Sequence, residues 1–259
     1  MRRFLILLVA AMAVVHICAQ IGLSSVAAAG GPEVKAGWAG GFSDFRDNLM
    51  KERTGGGWEY RKKVLLEYGT AVRSRNEAAL REWRDNDDAA SRAFRGKTAL
   101  VFDALRRLVG QDAFSRIAEN LSGAAGAASW DDIKALVAKE TGQDLGWFFS
   151  QWVDRKGLPD LVLEDATVRR RGDGFEVVID LVQKGEVYVL DIPILISYLR
   201  GGSKSETVHM DSARKHAVFL FTEEPAEIAV DPDYLVPREL TGPETPSLLA
   251  RVLTNDAVI

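Results

Sequence analysis

The stretch SWDDIKALVAKETGQDLGWFFSQWVDRKGLPDLVL, Ser129 to Leu163, decides how the chain reads, because its apolar period changes within it. Ser129-Trp130-Asp131-Asp132 has the form of a helix N-cap followed by acid in the first turn. Ile133, Leu136 and Val137 then recur at helical spacing, and Leu145, Phe148, Phe149 and Trp152 continue the series. At Gly157-Leu158-Pro159 the period shortens, and Leu161 and Leu163 alternate with other residues.

Upstream the helical period holds from Trp38 to about Lys156. Trp38, Phe42, Phe45 and Leu49 form one apolar stripe, and Tyr60, Val64, Tyr68 and Val72 step by four with Leu65 beside them. Val101, Ala104, Leu105 and Leu108 form a further stripe, as do Phe114, Ile117 and Leu121. Gly55-Gly56-Gly57, Gly110 and the small-residue run Ser122 to Ala128 break the series into separate helices.

Downstream the period is two. Phe175, Val177, Ile179 and Leu181 alternate strictly, as do Ile192, Ile194, Ile196 and Tyr198. Val218 with Leu220, and Ile228 with Val230, supply further strands. Gly172-Asp173-Gly174 and Gly201-Gly202 are hairpin signals. Helices first and strands second give an α+β chain in two parts, an all-helical part and then a small antiparallel β-sandwich. The expected organisation is a signal peptide over 1–29, a helical domain over 30–159, a β-sandwich over 160–240, and a C-terminal helix and tail over 241–259. The helix is placed at Pro246 to Leu253.

The first 29 residues read as an export signal. Arg2 and Arg3 precede an apolar run from Phe4 to Cys18, and Ala27-Ala28-Ala29 fits the small residues before a cleavage site. The run falls short of the roughly 20 apolar residues of a spanning helix, and no other segment reaches that length. Export to a periplasm or the outside is expected, with no membrane span after cleavage. Cleavage removes Cys18, the one cysteine, so neither disulfides nor a cysteine-type zinc site supports the fold. With 47% apolar and 27% charged residues the chain can form a packed core, and a formal charge of −4 lacks the basic excess of a nucleic-acid binder.

Several short patterns fail as sites. Arg95-Gly96-Lys97-Thr98 resembles the end of a P-loop, but Ser91 stands where the motif needs its first glycine, so it reads as a helix start. His209 and His216 fall on what read as neighbouring strands, without an obvious third metal ligand. Asp87-Asp88 and Glu223-Glu224 read as solvated carboxylates. Val230 to Tyr234, VDPDY, reads as a strand-ending turn rather than a calcium loop. Arg169-Arg170-Arg171 reads as an exposed strand end.

The helical part resembles zinc metallopeptidases of the aminopeptidase N family over about residues 38–161. Lys97 to Phe114, KTALVFDALRRLVGQDAF, is similar to the helix after the family's catalytic tyrosine. Trp130 to Leu161 is similar to a later segment, in which Gln151-Trp152, Gly157 and Pro159 fall at the family's spacing. The resemblance implies the helical half of a thermolysin-like catalytic domain followed by the family's β-domain. It also implies which positions should carry chemistry. Such enzymes hold zinc with two histidines of an H-E-x-x-H helix, whose glutamate is the base, and with a glutamate of the next helix; a tyrosine steadies the oxyanion.

H-E-x-x-H occurs nowhere in this sequence. Trp38 to Phe42, WAGGF, places Gly40 at the third-ligand position, and Arg95 falls at the tyrosine position. No catalytic, cofactor-binding or zinc-binding residue is therefore expected. The sequence supports an exported pseudoenzyme or remnant with a binding or scaffolding role. The alternative is the C-terminal half of a split zinc peptidase, whose H-E-x-x-H half is encoded separately. Without the histidine-bearing half, the helices around Phe42, Phe45 and Val101 are expected to expose an apolar face, covered by a protein partner or a second copy unless residues 30–37 close over it.

Overall fold

The computed structural model describes residues 37–53, 55–74, 78–83, 89–124, 127–240 and 249–251. The chain divides into two compact units, Met1–Glu33 and Val34–Ile259. The signal-peptide reading lies outside the described residues, as do Asp87-Asp88 and most of 241–259.

The helical part contains α1 (Trp38–Glu52), α2 (Gly57–Ser74), α3 (Ala89–Val109), α4 (Gln111–Gly123), α5 (Trp130–Thr141) and the short α6 (Gly146–Phe149). A π-helical segment, Ser150–Asp154, continues α6. Two antiparallel sheets follow. One has the order β1 (Asp160–Arg171), β2 (Gly174–Lys184), β5 (Arg214–Phe221). The other has the order β4 (Ser203–Met210), β3 (Leu190–Tyr198), β6 (Pro225–Val230), β7 (Leu249–Arg251). The fold is α+β.

The apolar stripes become the core. Trp38, Phe42 and Phe45 of α1 are buried, and their rings pack on Phe102 of α3 and Phe114 of α4 at centroid separations of 4.9 to 6.3 Å. Such aromatic pairs add to the stabilisation from burial alone. Trp38 also donates through Nε1 to the Ala128 carbonyl at 2.6 Å. Phe42, Phe45 and Val101 are at most 5% exposed, so the open apolar face expected around them is not formed.

The N-cap expected at Ser129 is present, and it is a full capping box. The Ser129 hydroxyl accepts from the Asp132 amide, and the Asp132 carboxylate accepts from the Ser129 amide at 2.8 Å. Arg95 to Thr98 falls within α3, six residues past its first position, and is not a helix start. The α3 backbone can lie close to both neighbouring helices because two glycines leave room. A Cβ on Gly41 of α1 would stand 2.6 Å from Thr98 Cγ2 and 2.7 Å from the Arg95 carbonyl oxygen. A Cβ on Gly96 would stand 2.6 Å from Val64 Cγ1 of α2.

In the sheets the inner faces are Val177, Ile179 and Leu181 of β2, and Leu190, Ile192, Ile194 and Ile196 of β3, with Val208, Met210, Ile228 and Val230. They belong to the same cluster of buried side chains as the helical core. The period change near Pro159 thus marks a change of element type within one compact unit. The turns expected at Gly172-Asp173-Gly174 and Gly201-Gly202 form, with positive φ at Gly172, Gly201 and Gly202.

Three further expectations differ from the structure. Leu249–Arg251 is a strand paired with Glu227 to Ala229, not part of a helix. Backbone bonds to the free edge of β6 outweigh a helical tendency in a segment this short. His209 and His216 lie in different sheets, because the β4–β5 connection crosses from one sheet to the other. Val218 and Leu220 do lie in a strand but face outward; Ala217, Phe219 and Phe221 are the more buried set.

Candidate functional site

The α1–α3 crossing holds both positions to which the family resemblance assigns chemistry. Gly40 is half-buried on α1, and its neighbour Gly41 faces the Arg95 carbonyl and Thr98 of α3. Arg95 is half-buried on α3. Its neighbour Lys97 is fully buried and donates from Nζ to the Gly157 carbonyl at 2.8 Å, with the ammonium 5.3 Å from the centre of the Tyr68 ring. Lys97 thereby ties α3 to the turn that starts the strands.

The donor chemistry here does not suit zinc. Gly40 has no side chain, a guanidinium is cationic at any ordinary pH, and the sequence supplies no H-E-x-x-H. Among the described residues no three His, Cys, Asp or Glu side chains lie close enough together to hold a metal ion.

The two histidines each bond a carboxylate. His209 Nδ1 is 2.8 Å from Asp191 Oδ1, and His216 Nδ1 is 2.8 Å from Asp180 Oδ1. Both pairs are exposed cross-strand neighbours, Asp191 opposite His209 and Asp180 opposite His216. Each pair bridges two neighbouring strands of its sheet.

A groove of about 260 Å³ opens between the end of α3, the α6 turn and the β3–β4 surface. Its walls are mainly apolar, from Leu108, Trp147, Phe148, Trp152, Val236 and Pro237. Asp191 and Arg107 bring polar groups to it. Arg107 is committed internally, since it donates to the Leu235 carbonyl and lies 3.4 Å from Asp103; burial pulls its pKa down.

Charges also join distant elements. Arg61 of α2 pairs with Glu52 of α1 and donates to the Asp233 carbonyl at 2.7 Å. Arg106 bonds Asp103 at 2.7 Å and Glu52 at 3.2 Å. The VDPDY segment forms the strand-ending turn that was read, and Asp231 within it is buried against Arg238 at 3.1 Å. The Asp103–Arg106 pair lies at helical spacing, but the links that join elements, such as Arg61 to the Asp233 carbonyl 172 positions away, carry no local pattern in the sequence.

No protein-family model and no curated protein matches the chain. Among solved structures it is similar to aminopeptidase A of Legionella pneumophila, crystallised in complex with aspartic acid. Identity is 17% and the TM-score 0.47, over 63% of this chain and 19% of that one. The chain thus spans about a fifth of that enzyme's length.

Proposed function

We propose that this chain is an exported, non-catalytic relative of aminopeptidase N-type zinc peptidases and acts by binding or scaffolding rather than by peptide hydrolysis. The reading rests on one juxtaposition. The two helices to which the resemblance assigns a zinc ligand and an oxyanion donor cross at Gly41, Arg95 and Thr98, and the assigned positions carry Gly40 and Arg95. A glycine supplies no donor, and a guanidinium cannot act as a metal ligand. With no activated water, no oxyanion forms for Arg95 to stabilise.

The proposal is tested by restoring both positions, Gly40→Glu with Arg95→Tyr, and titrating the folded variant with zinc by calorimetry. Binding no tighter than that of the parent chain is expected, since the histidine pair is still missing. Hydrolysis of aminoacyl substrates by the parent chain, abolished by a chelator, would overturn the reading.

A further inference from the structure

Among the described residues, strand β5 ends its sheet. It pairs with β2 along one side over Arg214 to Phe221, with no register shift. The Gln183 amide bonds the Ala213 carbonyl at 2.9 Å, so odd-numbered residues of β5 direct their backbone groups toward β2. The amides and carbonyls of Arg214, His216, Val218 and Leu220 therefore point away from the sheet. Protein edges are ordinarily blunted by proline, bulges or charged side chains. Here there is neither proline nor bulge, the basic residues are confined to the start of the strand, and Val218 and Leu220 are 48% and 64% exposed on the outer face.

The sequence along this edge is RKHAVFLFTEE, Arg214 to Glu224, basic at its start, apolar in the middle and acidic at its end. An antiparallel copy laid against it with Phe219 on the two-fold axis matches itself. Val218 then faces Leu220 of the partner subunit, a pair whose backbone groups both point outward, as the ladder requires. Lys215 comes opposite Glu223 of the partner subunit, where the chain bends toward β6. Moving the axis to Ala217 or Val218 keeps the ladder parity but sets Lys215 against an apolar residue. Charge thus selects one register. Phe219, half-buried against Phe221 at 6.3 Å between centroids, would lie beside Phe219 of the partner subunit and lose its remaining exposure.

We propose that β5 is a self-recognition edge, through which two copies of this chain pair antiparallel about Phe219 and join their three-stranded sheets into one of six strands. The interface is isologous, so each Lys215–Glu223 pair occurs twice.

Sedimentation of the purified chain over a range of concentrations tests this. A reversible monomer–dimer equilibrium is expected. Lys215→Glu, which sets like charges opposite each other twice, should weaken the dimer about tenfold. The swap Lys215→Glu with Glu223→Lys should restore it. In a Cys18→Ser background, Phe219→Cys should form an interchain disulfide on mild oxidation, because residues facing each other in a non-hydrogen-bonded pair have Cα atoms about 4.5 Å apart. A monomer at every concentration would overturn the proposal. So would a dimer that Lys215→Glu leaves as strong as the parent, whatever the cysteine variant does.

Discussion

Asp231 closes β6 in a left-handed backbone conformation, φ +50°, which a short polar side chain tolerates better than most. Its carboxylate is fully buried and accepts from the Leu235 amide at 2.6 Å, the Val236 amide at 3.2 Å and Arg238 Nε at 3.1 Å. Burial outweighs these partners and pushes its pKa up to about 6. The folded chain therefore holds a proton that the unfolded chain releases between about pH 4 and 6. The stabilising contribution of that proton is complete below about pH 4 and is lost as pH rises through 6. Carboxyl NMR should place the midpoint near 6. Asp231→Asn should remove this pH dependence from urea unfolding curves and destabilise the fold by roughly 3 kcal/mol, by breaking a buried ion pair. Gly40 is the opposite kind of residue. Its role in the account comes from what it does not supply, and only comparison with a motif makes that visible.

Between elements, the double glycine of α1 divides into two parts. Gly41 is required by the close approach of α3, whereas Gly40 stands at the position that the resemblance assigns to a zinc ligand. Gly41→Ala should lower stability by about 2 kcal/mol through overpacking against Thr98 and the Arg95 carbonyl, measurable as a lower urea midpoint. Ser129→Ala removes the cap of α5 and should cost about 1 kcal/mol in the same measurement. The Ser129 hydroxyl and amide hold Asp132 below the usual carboxylate range, so the cap's contribution is present above pH 4 and fades as pH falls through the lowered pKa. These two sites differ in how far the sequence reveals them. The cap is legible because its partners lie three positions apart. The α1–α3 approach is not, because Gly41 and Thr98 are separated by a whole helix and a loop. Strand alternation located β2 and β3, but not which face of β5 is buried. That depends on the sheet to which β5 belongs, and the crossing between β4 and β5 leaves no local signal.

For the molecule as a whole, helices and sheets share one apolar core in the unit Val34–Ile259. Lys97 binds the helical part to the Gly157 turn, and Arg61, Arg106 and Arg107 bind α2 and α3 to α1 and to the turn after β6. The α+β class and the hairpins were legible from period and turn residues. The burial of Phe42, Phe45 and Val101 was not, since a stripe tells which face seeks cover and not what supplies it. Self-association through β5, as proposed, places a second copy on the strand side of the molecule. It leaves the α1–α3 crossing outside the interface.

The claim that this crossing is catalytically empty is tested most directly by the metal content of the purified chain, measured by mass spectrometry together with aminopeptidase turnover before and after chelation. The account predicts zinc well below one atom per chain and no turnover above buffer. One tightly held zinc per chain, with turnover that chelation abolishes and zinc restores, would contradict it.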